Sequence, residues 1–203
     1  MSQTSRTDLT TRTDPADPIG KADPADVIGT AVPGGARPPL RYTTAGSPLG
    51  PLLLVADEDG ALTALLAPGT KGQVNRPDPA WQQDPAPFTD AVEQLAAYFD
   101  GDLKEFALPL APRGSEFRRR VWEALESVPY GETATYGELA AAAGQPPSAV
   151  RAVAGAIGAN PLLIVRPCHR VIGANGSLTG FAAGLDAKRL LLRLESADRT
   201  LFD

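Results

Sequence analysis

The 203-residue sequence predicts an α+β protein: a small N-terminal domain of strands and one helix over residues 40–111, then a mostly helical domain over 112–203. Three observations carry this. Short apolar runs separated by turn residues fill 41–66. Apolar residues recur at helical spacing near 92–99 and again near 117–125. Two capped helix starts flank a Pro-containing tight turn at 144–147. The length is enough to bury a real core. One Cys and one His exclude a disulfide framework and a zinc site built from those residues. No run of 18 apolar residues exists, so no membrane partner is expected. The start, MSQTSRTDLT, lacks an apolar signal region, and a cytoplasmic protein is expected.

Residues 1–39 hold ten Pro or Gly and no aromatic, and DPADPIG (14–20) recurs as DPADVIG (23–29). Such a segment cannot bury enough apolar surface to offset its ordering entropy and is expected to be a disordered tail. From Leu40 three strands are predicted, beginning at Arg41, Pro51 and Ala61, with turns at 46–50 and 57–60. Residues 67–87 read as a long loop. Val92, Leu95, Ala96 and Phe99 then mark the inner face of a helix that Gly101 stops. Glu105–Leu110 reads as one more strand, and 111–114 as a linker.

Ser115 opens a helix with Phe117, Val121, Trp122 and Leu125 on one face. Thr135-Tyr-Gly-Glu138 fits a capping box heading a second helix, Tyr136 to Ala143. After 144–147, Ser148 is expected to cap a third helix running to Gly158. The pair has the helix-turn-helix pattern, a weak signal alone. Net charge is −5, yet residues 115–203 carry +1 and 1–114 carry −6. Whatever basic surface exists lies in the second half, which fits phosphate contact there.

Arg166-Pro-Cys-His-Arg-Val171 places the only Cys beside the only His. A lone Cys is most often a small buried hydrophobe. A thiol attacks as thiolate, and Arg166, His169 and Arg170 offer a basic neighbourhood that would favour one. Adjacent side chains of an extended segment point apart, so a bridging water and a carboxylate behind the imidazole would be needed to relay the proton. Asn175-Gly176 predicts a hairpin turn, a wing beside this segment. The run Arg118–Arg120 reads as a solvated face.

Pro167-Cys-His-Arg-Val171, preceded by Asn160-Pro161 and followed by Gly180-Phe-Ala-Ala-Gly-Leu185 and Lys188, closely resembles the O6-alkylguanine-DNA alkyltransferases, together with Arg151-Ala-Val153. The resemblance spans about 40–197. It implies a ribonuclease H-like N-terminal domain and a winged helix-turn-helix domain. It also implies single-turnover repair, in which alkyl groups pass from O6 of guanine, and O4 of thymine, in double-stranded DNA to the protein's own cysteine. Carried over residue by residue, Cys168 is the acceptor. His169 withdraws its proton through a water, oriented by Glu195, and Tyr136 hydrogen-bonds the purine. Arg151 fills the gap left by the extruded nucleotide, on a helix whose small Ala152, Ala154 and Gly155 suit a minor groove. Asn160 holds the turn before the active-site segment. Pro167, Val171, Phe181, Ala182 and Ala183 line the pocket. A monomer is implied, with cooperative binding of several copies to DNA left open; the family's zinc-bearing members use N-terminal cysteines and histidines that this sequence lacks, so neither metal nor cofactor is expected.

The chemistry of the target agrees with this. An O6-alkyl carbon lies within the base stack and must be extruded to be reached, and recognition anywhere in a genome favours backbone contacts. Two positions depart from the family's Gly-Tyr-x-Gly-Gly loop. Phe181 lacks the usual hydroxyl, predicting slower transfer, and Ala183 adds a methyl, predicting a handicap with bulky adducts. Arg166 stands where an aliphatic residue is usual, with its head either at solvent or near DNA. Three alternatives remain in view: a non-catalytic lesion-binding relative, which Cys168 argues against; a winged-helix regulator; and a cysteine hydrolase, which lacks a second His. Glu195 could instead pair with Arg199 at helical spacing.

Overall fold

The computed structural model describes residues 39–70 and 76–196. The duplicated segment 14–29 and Arg199 lie outside the described residues. Strands β1 (Arg41–Ala45), β2 (Leu52–Ala56), β3 (Leu62–Leu66) and β4 (Gln82–Gln83) form a sheet of order β3-β2-β1-β4. The first three make the predicted antiparallel meander, with Thr43 opposite Leu54 and Val55 opposite Ala64. β4 joins β1 in parallel, inside the stretch expected to be all loop.

Every residue of β2 and β3 is buried, which explains why Leu52–Ala56 reads as an unbroken apolar run rather than an alternating one. Leu52, Leu54 and Leu65 face the main core, while Leu53, Val55, Ala64 and Leu66 pack with Leu40, Tyr42 and Trp81 on the other side. Helix α1 (Thr89–Asp100) ends as predicted, at Gly101 in a left-handed conformation (φ +85°) whose N–H caps the last turn. Its inner face is Ala91, Leu95 and Tyr98: of the predicted set Leu95 is buried and Phe99 packs half-buried against the core, while Val92 and Ala96 do not face inward. Val92 is 37% exposed and Ala96 is also exposed, because the helix is rotated to bring the larger Tyr98 ring into the core. Glu105–Leu110 is not a strand. It runs as irregular chain with a single parallel bridge from Leu110 to Leu62, since Pro109 lacks the N–H that a longer ladder needs.

Helix α2 (Glu116–Leu125) is capped by Ser115 Oγ, which accepts the Arg118 N–H at 3.3 Å, and buries Val121, Trp122 and Leu125. β5 (Ala134–Thr135) leads into α3 (Tyr136–Ala142) through the predicted capping box: Thr135 Oγ1 accepts from Glu138 N (3.2 Å), and Glu138 Oε2 accepts from Thr135 N (2.7 Å). Ser148 does not cap the next helix. It lies within a 3₁₀ turn, Pro147–Ala149, which the two prolines favour, and α4 (Val150–Gly158) follows without a side-chain cap. Trp122 Nε1 donates to Ala156 O (2.7 Å), tying α2 to α4. β6 (Val171–Ile172) pairs in parallel with β5, and α5 (Leu185–Glu195) closes the described chain. The turn at Asn175-Gly176 exists, closed by Gly173 N to Ser177 O at 2.9 Å, but no strand pair flanks it, and β6 pairs only with β5.

One buried cluster runs through both halves, from Leu52 and Tyr98 to Trp122, Ile157 and Leu191. The free edge of β3 joins them too. Leu62 bonds the chain at Pro109 and Ala111, while Leu65 N donates to Pro161 O (2.8 Å) and Leu163 N to Leu65 O (3.0 Å). This edge is therefore covered rather than left as an adhesive row of backbone groups. The same bonds hold the segment that carries Cys168. Among the described residues no helix is long and apolar enough to cross a membrane, and no group of three metal-ligating residues occurs.

Candidate active site

Between α4 and Cys168 the chain makes a tight loop organised by one buried side chain. Asn160 Oδ1 accepts from Leu162 N (3.0 Å), and its Nδ2 reaches Arg166 O (3.0 Å), Leu162 O (3.3 Å) and Cys168 Sγ (3.2 Å). Ile164 inside the loop has φ +71°, a conformation that a β-branched residue adopts only at a cost of about 1–3 kcal/mol. The Asn160 bonds and the β3 edge hold that strain in place. Asn160 thus does more than support a turn: it touches the sulfur.

Residues Cys168–Arg170 form a 3₁₀ turn, not the extended segment expected. Cys168 is 3% exposed. Burial pushes its thiol up to about 11, against the opposing pull of the Asn160 amide and the Lys188 charge. The expected thiolate-favouring neighbourhood is thus corrected. Arg170 is spent on Glu195, and Arg166 Nε on Glu126 Oε1 at 3.1 Å, so neither charge is free to stabilise the sulfur. Arg166 is itself buried, so its head is not at solvent.

His169 is fully buried, and burial lowers its basicity although Glu195 works the other way, so the ring is neutral. Its Nε2 lies 2.8 Å from Glu195 Oε1. An ionised carboxylate can only accept, so Nε2 carries the hydrogen and Nδ1 keeps a lone pair. Nδ1 is buried and has no hydrogen-bond partner among the described residues. Glu195 accepts four bonds: from His169 Nε2, from Arg170 Nε (2.7 Å) and Nη2 (2.9 Å), and from the Tyr98 hydroxyl (2.6 Å). Burial alone would raise this carboxyl, but the bonds from His169 and Arg170 outweigh it and hold it at about 2. Arg170 Nη1 also donates to Val128 O at 2.6 Å. Gly131 backs onto the end of α5, where an added Cβ would stand 2.9 Å from Glu195 O.

Phe181 packs edge-on to His169, with ring centres 6.4 Å apart. Pro167 and Val171 are buried and Ala182 and Ala183 half-buried, the last three in the core cluster that holds Phe181. Lys188 is fully buried, donating from Nζ to Val171 O (2.5 Å) and Thr179 O (2.8 Å), and burial lowers it to about 8. Tyr136 donates to Thr179 O at 3.3 Å and so borders the 179–184 loop.

The fold therefore makes two bonded pairs, Asn160 with Cys168 and His169 with Glu195, which meet where Cys168 and His169 adjoin in the chain. Tyr136 adjoins this site through Thr179. Arg151, Ala152 and Gly155 lie on the exposed face of α4 with Ala154 half-buried, opposite the buried Val153, Ala156 and Ile157. Tyr98, the Arg170–Glu195 pairing and the burial of Lys188 were missed. Tyr98 lies 97 positions from its partner, and its one sequence signal is a large aromatic at i+3 from Leu95.

Two family descriptions match the chain. One is the 6-O-methylguanine DNA methyltransferase ribonuclease-like domain at residues 40–112, and the other is the DNA-binding domain of the same family at 116–197. A methylated-DNA–protein-cysteine methyltransferase of Mycolicibacterium paratuberculosis is 51% identical over 168 residues, covering 81% of this chain and 99% of that protein. A Methanosarcina acetivorans protein of the same name is 50% identical over 156 residues, covering 77% and 98%. The crystal structure of Mycobacterium tuberculosis OGT in complex with DNA superposes with a TM-score of 0.71 at 48% identity, covering 80% of this chain and 99% of that one. With both domains matched in order and the Cys-His-Glu cluster assembled at their junction, the chain belongs to the 6-O-methylguanine DNA methyltransferase family.

Proposed function

We propose that this protein repairs DNA by moving an alkyl group from O6 of guanine, and from O4 of thymine, onto Sγ of Cys168, once per molecule. The observation that supports this best is a buried thiol next to a neutral histidine whose outer nitrogen is fixed by an ionised carboxylate. In the transfer, Sγ attacks the alkyl carbon in line with the C–O6 bond. The S–C bond forms as the C–O6 bond breaks, and the guanine leaves with its O6 electron pair. The thiol proton passes through a water to His169 Nδ1, and the leaving base takes up a proton in return. Asn160, donating to the sulfur, favours the charge that develops there. Because burial holds the resting sulfur as a thiol, the nucleophile is unmasked only when base and substrate are both in place.

Tyr136 beside the 179–184 loop hydrogen-bonds the purine, and Phe181 with Pro167, Val171, Ala182 and Ala183 forms the apolar wall around the alkyl group. The target must leave the stack to reach a buried sulfur, at a cost of a few kcal/mol that phosphate contacts and an inserted side chain offset. Arg151 is that side chain, and the exposed small residues Ala152 and Gly155, with Ala154 beside them, let α4 approach the minor groove. The partner is double-stranded DNA bearing the lesion, met by a monomer with no bound cofactor. Replacing Cys168 by Ser tests the assignment: transfer disappears while the variant still binds the duplex. Residual transfer in Cys168→Ser contradicts it.

A further inference from the structure

The carboxylate of Glu195 is built from both domains. His169 and Arg170 reach it from the 3₁₀ turn, and Tyr98 reaches it from α1 of the N-terminal domain. Tyr98 is fully buried, between Phe99 (5.4 Å), Phe106 (5.3 Å) and Tyr130 (6.2 Å), so its ring has no freedom to turn away. Its hydroxyl donates to the same oxygen, Oε1, that His169 uses. Burial and the neighbouring carboxylate raise the phenol's titration well above its ordinary range, so it is always a donor.

We propose that Tyr98 is a positioning residue for alkyl transfer: its hydroxyl locks Glu195 Oε1 in the orientation that obliges His169 to donate from Nε2 and to present Nδ1 to the thiol. The N-terminal domain then takes part in the chemistry through this one oxygen. The inference rests on the relay from Cys168 through His169 to Glu195. The other charged or titratable groups around the carboxylate are few. Tyr130 lies against Tyr98, with Lys104 and Arg170 5.7 and 5.8 Å from its ring centre. Lys188, on the same helix as Glu195, bears on His169 and Cys168 by its charge. None of these donates to Oε1 except Arg170, so the phenol's withdrawal of charge from that atom has no substitute of its own kind.

Removing the hydroxyl leaves Oε1 more basic toward His169, which favours the imidazolium. The pH at which the base becomes competent then rises. The test is the single-turnover transfer rate from an O6-methylguanine duplex, measured from about pH 5 to 9. Tyr98→Phe is expected to be up to about threefold slower on the acid side of the profile, with the acid limb displaced upward by about half a unit and duplex affinity unchanged. Phe106→Leu, which loosens packing on the same ring, loses stability but leaves the limb in place. Site-specific 3-fluorotyrosine at 98, a stronger donor of nearly the same shape, moves the limb downward and decides the matter if Tyr98→Phe fails to fold. An unmoved limb in folded Tyr98→Phe, or in the fluorotyrosine protein, overturns the role of Tyr98 while Glu195→Gln remains crippled. Wild-type transfer by Glu195→Gln instead overturns the relay on which the inference rests.

Discussion

At the scale of single residues, the candidate site separates charge. One carboxylate, Glu195, is ionised and four-fold bonded; one imidazole is neutral; one thiol is protonated and buried. Glu195 titrates at 4.5 in an unfolded chain and near 2 in the folded one. Its bonds therefore add stability at any pH above 4.5, and that contribution, about 3 kcal/mol, is lost as pH falls toward 2. Thermal melts across that window are expected to show a steep fall for the wild type and a shallower one for Glu195→Gln; equal slopes would contradict this. Phe181 is the second residue to test. Its ring meets His169 edge-on but brings no hydroxyl to the pocket. Phe181→Tyr is expected to raise the single-turnover methyl-transfer rate, and an unchanged rate would show that the missing hydroxyl does not matter.

At the scale of elements, α4 divides into two faces that do different work. Val153, Ala156 and Ile157 anchor it to the core, with Trp122 Nε1 clamped on Ala156 O, and Arg151, Ala152 and Gly155 face outward. Arg151→Ala is expected to slow transfer from duplex DNA by at least ~10-fold but transfer from a single-stranded oligonucleotide far less, because only the duplex leaves a gap to fill. Equal losses on both would argue against insertion. Where local rules govern, the sequence was legible: the meander, Gly101, the Ser115 cap and the Thr135–Glu138 box all depend on neighbours within four residues. The illegible parts depend on distant partners. Ser148 yields to the prolines before it, Glu105–Leu110 finds only one rung on β3, and α1 turns to bury Tyr98 instead of Val92. The Cys-His pair was plain in the chain. The raised thiol was not, because the burial that raises it exists only in the packed fold, where Arg166 and Arg170 are also drawn to the distant Glu126 and Glu195.

At the scale of the whole molecule, the two halves share one core, one covered sheet edge and one carboxylate. The loop from Asn160 to Cys168 hangs between them, held by β3 on one side and by Asn160 on the other. Charge is divided in the same sense, with the acidic excess confined to residues 1–114 and the DNA-facing half near neutral. The division suits a protein that meets many sites briefly and reacts at few. In the function proposed above, all of this serves one event at one sulfur. The most direct measurement is peptide mass spectrometry of the full chain after incubation with excess O6-methylguanine duplex. The account predicts a single added methyl on the peptide containing Cys168, with demethylated guanine appearing in equal amount and then no more. An unmodified Cys168 peptide, or guanine released beyond one equivalent per chain, would contradict it.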